Sequence, residues 1–393
     1  MTYATLKISN SQINGNELAT MTLNEAVALY GTIIIPQWHA QVYNNNYKLE
    51  SRRYIGCKAK LVDWIFELIQ KETRDIHSFC DIFAGTGVVA NRAFALYDKV
   101  IVNDFLYSNN IIYKAFFQDS PWNEDKVKKI LDRYNSIDPT TIPDNYFSTN
   151  YGDKFFDMLT ARHIGYIRED MVKIRTNLSE KEYAIIMASL IYSIDRLANT
   201  LGHYEAFIKK SIEPRKLILR MVSADNLKGA EIYQCDANIL ARNISADIVY
   251  IDPPYNSRQY SRFYHLLENL VQWKKPDLFG VAMKPKEENM SNYCRCSAFR
   301  TFQDLVANLN AKYLVVSYNN TYKSKSSSST NKIKLEQIEE ALTKCGETHV
   351  YSHSYAPFNS GKTVFEDHRE YLFITKVDND KRNSAFSSIL CRR

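Results

Sequence analysis

The sequence predicts an α/β fold in which a helical segment interrupts a single sheet, and three stretches of the chain carry that expectation. Phe79-Cys80-Asp81-Ile82-Phe83-Ala84-Gly85-Thr86-Gly87-Val88-Val89-Ala90 reads as an apolar strand that enters a glycine turn and leaves through small residues into a helix. Ala246-Asp247-Ile248-Val249-Tyr250-Ile251 reads as a short buried strand ending on Asp252-Pro253-Pro254-Tyr255. Between about residues 105 and 227 these signals stop and helical periodicity replaces them.

In chain order, residues 1–50 carry no readable chemistry and form an N-terminal extension. Arg53-Tyr54-Ile55-Gly56-Cys57-Lys58-Ala59-Lys60 is a glycine turn ahead of an amphipathic helix with Leu61, Ile65, Leu68 and Ile69 on one face, and a lysine there suits a carboxylate. At Gly85 and Gly87 the backbone can pass close beneath a ligand. The Gly-x-Gly spacing lacks the third glycine of the dinucleotide fingerprint, which argues against a pyrophosphate cradle and a dinucleotide-dependent oxidoreductase. A second strand at 100–102 ends on Asn103-Asp104, 23 positions after Asp81, where an acid can accept hydrogen bonds from a ribose. A strand, turn and helix with a capping aspartate is the plainer alternative for this pair.

Within the helical segment, Tyr183, Ile186, Met187, Leu190, Ile191 and Ile194 mark the apolar face of a helix over 180–197. The next stretch, Asn199-Thr200-Leu201-Gly202-His203-Tyr204-Glu205-Ala206-Phe207, combines a glycine turn, aromatics and polar tips. It suits either a reading loop or a turn between helices with buried aromatics. Gln234-Cys235-Asp236-Ala237 closes another strand 16 residues before Asp252, and Asp236 can meet a purine edge.

Asp252-Pro253-Pro254-Tyr255 puts an acceptor, two prolines and an aromatic at a strand end, where open α/β sheets bind ligands. Consecutive prolines fix the backbone and remove N–H donors. Such a pocket suits a planar base with an exocyclic amine: Asp252 and the Pro253 carbonyl accept its two protons, and the Tyr255 ring covers its face. Taken alone, the motif is also ordinary turn chemistry.

In their order, these segments resemble the DNA amino-methyltransferases, specifically the adenine-N6 group in which the glycine motif precedes Asp-Pro-Pro-Tyr. The resemblance covers about residues 51–105 and 230–375. It implies a Rossmann-like S-adenosylmethionine-dependent methyltransferase sheet with a helical insertion domain. The catalytic domain would then span 51–104 and 228–376, the insertion 105–227 would recognise the DNA target, and 377–393 would be a tail. By resemblance, Tyr54, Lys58, Phe83, Gly85, Gly87, Asp104 and Asp236 bind S-adenosylmethionine, and Asp252, Pro253, Pro254 and Tyr255 are catalytic. Asn256-Ser257-Arg258-Gln259-Tyr260 is similar to a subset of restriction-modification methylases, which raises a cognate restriction endonuclease as a partner. Tyr313-Leu314-Val315-Val316-Ser317-Tyr318-Asn319 and Glu370-Tyr371-Leu372-Phe373-Ile374 are similar to the strands that close the family's sheet. Cys57 departs from the glycine or asparagine of many relatives and bears on the geometry of the Lys58 turn. The expected substrate is an adenine flipped out of duplex DNA. Cytosine N4 and RNA adenine are the near alternatives; aspartate rather than serine heading the motif favours adenine, and the large insertion favours duplex DNA. A catalytically idle nucleic-acid-binding protein of the same fold would show damage in the pocket, and the sequence shows none.

Composition agrees. A chain of 393 residues, 45% hydrophobic, can bury a substantial core and is long enough for two domains. It has no apolar run of membrane-spanning length and no basic start followed by an apolar core, so a cytoplasmic protein is expected. Seven scattered cysteines argue against a disulfide framework. The lone Cys294-x-Cys296 and the pair His349 and His353 do not suggest a metal site. The net charge of +6 permits a polyanion partner. Lys209, Lys210, Arg215, Lys216 and Arg220 crowd one segment, Arg258 and Arg262 flank the proposed pocket, and Lys323, Lys325, Lys332 and Lys334 bracket a mobile-looking serine run at 326–329 that equally suits a solvated face. DNA contacts are expected at Thr200, His203, Tyr204, Lys209, Lys210, Arg258 and Arg262, with 273–300 as a second candidate reader.

Overall fold

The computed structural model describes residues 46–254, 256–320, 332–354 and 369–387. Tyr255, Lys323, Lys325, the serine run, most of the N-terminal extension and the end of the tail lie outside the described residues. The strands are β1 (Ser78–Asp81), β2 (Lys99–Asp104), β3 (Ala230–Gln234), β4 (Ser245–Ile251), β5 (Asn310–Asn319), β6 (Gly346–Ser354) and β7 (Arg369–Val377). They form one sheet in the order β3-β2-β1-β4-β5-β7-β6. The first five strands in that order pair in parallel, and β7 runs antiparallel to both its neighbours.

The helices are α1 (Val62–Glu72), α2 (Val88–Ala93), α3 (Tyr107–Phe117), α4 (Glu124–Asn135), α5 (Tyr146–Tyr151), α6 (Met158–Lys173), α7 (Glu180–Asp195), α8 (Ala237–Leu240), α9 (Tyr260–Phe263), α10 (His265–Gln272), α11 (Ala298–Asn308), α12 (Leu335–Thr343) and α13 (Asn379–Ala385). Successive strand side chains point to opposite faces, and here both faces are covered. Phe79, Val100, Ile248, Tyr250 and Val315 enter one apolar cluster, while Cys80, Ile101, Val249, Ile251, Leu314 and Val316 enter the other. This explains why the central strands read as continuous apolar runs rather than alternating ones.

The helical segment is not set apart from the sheet. Helix α3 packs on β2, β3 and α7, and residues of α3, α6 and α7 share an apolar cluster with β1 and β2. Helix α7 opens with a capping box, in which the Ser179 side chain accepts from Glu182 N at 3.1 Å and Glu182 Oε2 accepts from Ser179 N at 2.9 Å. The sequence assigned it a single apolar stripe including Tyr183. In the structure every residue of 181–195 except Tyr183 is buried, because α7 is a central helix with packing on all sides. Lys181 is accommodated there by donating Nζ to the Gln118 and Asp225 carbonyls.

Candidate active site

Four strand ends meet in one cleft where the strand order reverses, between β1 and β4. Parallel sheets open a crevice at this point because successive crossovers leave in opposite directions. Tyr54, Lys58, Phe83, Gly85, Asp104, Asp236, Asp252, Pro253 and Pro254 all line it. Tyr255 lies outside the described residues.

The glycine turn after β1 has left-handed backbone at both glycines, φ +53° at Gly85 and +80° at Gly87. The two have different tasks. A Cβ on Gly85 would approach Tyr54 Cε1 at 3.2 Å, narrowing the floor of the cleft. Gly87 is not among the lining residues: it starts α2, and a Cβ there would meet the Tyr113 and Phe117 rings at 3.1 and 3.3 Å. Gly87 is therefore needed for helix packing. Asp104 braces the turn, its Oδ2 accepting from Gly85 N at 3.0 Å and its Oδ1 from Leu106 N at 2.8 Å. Burial raises its pKa, opposed by these backbone hydrogen bonds. Each carboxylate oxygen keeps further acceptor capacity for a hydroxyl. Asp236 caps α8 through Asn238 N at 2.9 Å while still lining the cleft.

Lys58, expected to meet a ligand carboxylate, also faces two carboxylates of the protein itself: its Nζ lies 3.0 Å from Asp252 Oδ1 and 3.0 Å from Glu370 Oε1. Burial pulls its pKa down, but the two acids more than offset this and the net shift is upward.

Several residues that the sequence reading passed over shape the same cleft. Asn103 is buried and joins three strand ends: its Nδ2 donates to the Ile82 and Cys235 carbonyls at 3.0 and 3.1 Å, and its Oδ1 accepts from Cys235 N at 3.1 Å. Tyr293 stands edge-on to Phe83 at 5.1 Å between ring centres. Asp81 is buried beneath the turn and accepts from Ala90 N at 3.2 Å, its pKa raised by burial and by Asp252. Glu370 sits on β7, nearly the whole described chain away from Lys58 in sequence. The only advance signal for Asn103 and Asp81 was a polar residue in an apolar strand; Glu370 and Tyr293 had none.

The residues expected to touch DNA divide. Lys209, Lys210 and Arg258 are exposed, and Arg262 is half-buried with Nη1 donating to the Pro285 carbonyl at 2.8 Å. Tyr204 is not presented to solvent: it is 2% exposed, its hydroxyl donates to Asp195 Oδ1 at 2.5 Å, and its backbone is held by Phe263 and His265. Thr200 is buried as well, accepting from Gly202 N, and His203 stacks on Phe263 at 4.8 Å. The two candidate readers adjoin each other. Lys284 of the 273–300 stretch reaches Glu205 at 3.2 Å, and Ser291 is pinned to Gln259 beside the Asp-Pro-Pro loop. His349 pairs with Glu72 and Cys294 donates to the Arg258 carbonyl. Among the described residues no group of three or more His, Cys, Asp or Glu could hold a metal ion, and no helix is long and apolar enough to cross a membrane.

A doubly covered sheet of this strand order, with a glycine turn, two acids at the following strand ends and an Asp-Pro-Pro loop on one cleft, defines an S-adenosylmethionine-dependent methyltransferase fold. The family model of the D12 class N6 adenine-specific DNA methyltransferases matches residues 54–325, and the chain belongs to that family. It is 32% identical over 360 residues to the type II methyltransferase M.FokI of Planomicrobium okeanokoites, covering 86% of this chain and 54% of that protein. It is 29% identical to the type II methyltransferase M.NlaIII of Neisseria lactamica, covering 82% of this chain and 98% of that one. Identity to the type II methyltransferase M.CviAII of Paramecium bursaria Chlorella virus 1 is 30%, covering 83% and 98%. The chain thus spans about half of the first relative and nearly all of the other two.

Proposed function

We propose that this chain methylates N6 of an adenine flipped out of duplex DNA, as the modification enzyme of a restriction-modification system whose cognate endonuclease is a separate activity. The observation that carries the reading is the shared cleft: Asp252, Pro253 and Pro254 line the same crevice as Gly85, Asp104 and Asp236. The residues fit the cofactor of the D12 class. Gly85 leaves the floor open where a Cβ would crowd Tyr54, Phe83 gives an apolar wall, and Asp104 and Asp236 offer acceptors for hydroxyl and amine groups. These residues would hold S-adenosylmethionine, which supplies an electrophilic methyl group.

The chain's own residues address the other reactant. An adenine amine is a poor nucleophile because its lone pair is delocalised into the ring. If Asp252 and the Pro253 carbonyl each accept one amine proton, the nitrogen is drawn toward a pyramidal geometry and its lone pair is localised. These hydrogen bonds strengthen as positive charge develops on nitrogen, which lowers the barrier rather than merely tightening binding. A base inside a duplex cannot enter the cleft, so flipping precedes the reaction, and Tyr255 is the proposed stacking surface. Exposed Lys209, Lys210 and Arg258 would meet phosphate, and the joined surface of 200–207 and 273–300 would read the flanking sequence. A duplex-DNA substrate puts the work in the cytoplasm.

The test is nucleoside analysis of DNA from cells expressing the chain or its Asp252→Ala variant. N6-methyladenine present with the first and absent with the second is expected. N4-methylcytosine, or modification confined to RNA, would overturn the substrate assignment.

A further inference from the structure

We propose that Glu370 is a positioning residue for Asp252, acting through Lys58, so that the lysine turn serves the methyl acceptor as well. The inference deepens the proposed function and rests on it. Its basis is a buried chain of charged groups from three distant parts of the sequence. Ser317 Oγ on β5 donates to Glu370 Oε1 at 2.8 Å; Lys58 Nζ lies 3.0 Å from that same oxygen and 3.0 Å from Asp252 Oδ1. The side chains of Lys58 and Glu370 are 7% and 3% exposed, and that of Asp252, at the cleft wall, 16%.

Burying three charged groups is costly unless each is paired and held. In such a place the ammonium has two effects on Asp252. It holds the carboxylate through Oδ1. It also opposes the neighbouring negative charges that would otherwise favour protonation. Among the described groups, Lys58, Asp81 beneath the glycine turn and the Tyr250 hydroxyl at the end of the preceding strand act on Asp252, and Glu370 shares Lys58 with it. Lys58 is the cation among these four. Were it lost, Asp252 would keep Asp81 and Glu370 as acidic neighbours and its pKa would rise. Glu370 in turn holds Lys58 at the correct reach, since an unbranched four-carbon stem has many alternative rotamers.

The arrangement predicts sign-dependent coupling between two substitutions. Lys58→Met should lower single-turnover methylation by about a hundredfold, the scale of a misplaced reacting group, and should move the acid limb of its pH profile upward. Glu370→Gln keeps the size of the side chain and an oxygen for Ser317, and should lower the rate about tenfold with S-adenosylmethionine affinity unchanged. In the double variant, the Glu370 change removes a negative charge near Asp252 and should restore part of the rate lost in Lys58→Met. Lys58→Arg, which keeps the charge, should retain more activity than Lys58→Met. Thermal melts of all variants identify any that fail to fold. Rate losses that simply multiply, or a loss of cofactor affinity with the single-turnover rate intact, would overturn the proposal. Absence of methylation by the unaltered chain on duplex DNA would instead overturn the reading on which it rests.

Discussion

The cofactor side of the cleft and the neighbouring turn at 199–208 use the same residue types, carboxylate, tyrosine and glycine, to opposite ends. In the cleft, Asp104 clamps the Gly85 turn from below and leaves Tyr54, Phe83 and Asp236 facing the crevice. In the turn, Asp195 draws Tyr204 into the core, and Gly202, with φ +104° and nothing near its missing Cβ, lies at an open tip. Position in the sheet makes the difference. A strand end delivers its next residues to a crevice whatever they are, whereas the irregular stretch after α7 presents only what the core does not take. The two regions are nevertheless wired together: Asp195 Oδ2 lies 3.7 Å from Arg52 Nε, and Arg52 sits over the Tyr54 ring at 5.0 Å.

The largest expected effect tests that contrast. Tyr204→Ala removes a fully buried ring and a partner of Asp195, and should cost about 3–5 kcal/mol of stability. Tyr204→Phe should cost about 1–2 kcal/mol by removing one hydrogen bond to a buried carboxylate. Denaturant titration gives both numbers, and sequencing of methylated sites should show the same recognition sequence for Tyr204→Phe. Relaxed specificity at full stability would make Tyr204 a reader and break the comparison.

Asp252→Asn probes the opposite region. It keeps size, removes charge and turns one of the two oxygens into a donor that must face either Lys58 or the incoming amine. Single-turnover methylation should fall by about 10² or more, with S-adenosylmethionine binding within a few fold. Full activity would reduce the Asp-Pro-Pro loop to a turn. Asp104→Ala should act the other way, weakening cofactor binding about tenfold, or about 1.4 kcal/mol, because it removes both a ribose acceptor and the brace on Gly85 N and Leu106 N. Isothermal titration measures the loss; unaltered affinity would confine Asp104 to the turn.

What was legible in the sequence follows the same division. The strands, the glycine turn and the Asp-Pro-Pro loop were readable because apolar runs, left-handed glycines and prolines constrain the backbone locally. Asp104, Asp236 and Asp252 were placed correctly at strand ends for that reason. Lys58 was assigned to the cleft, but its two protein carboxylates, from β7 and from the loop after β4, were not foreseen. The burial of α7 on all sides was not readable, and the burial of Tyr204 was only one of two readings left open, because both depend on what packs against them. Glu370 looked like the first residue of a closing strand, and only the β5–β7 pairing carries it to the site.

The smallest effect belongs to the exposed lysines, and it sharpens the comparison on the DNA side. Lys209 and Lys210 are exposed and follow the turn that buries Tyr204, so their ammonium groups remain free to meet a polyanion at no cost to the core. If each neutralises one phosphate, replacing it with alanine should flatten the dependence of log affinity on log salt by about 0.9 per lost contact. The effect should be uniform across DNA sequences, since phosphate contacts position the protein without reading bases. Replacing a base-reading residue would instead relax one position of the recognition sequence at about 1–3 kcal/mol. Binding measured over a range of salt concentrations, on cognate and scrambled duplexes, separates the two outcomes. An unchanged slope for the double variant, together with a reduced slope for changes at Lys274, Lys275 or Lys286, would move the phosphate-binding face from the turn at 199–208 to the 273–300 stretch.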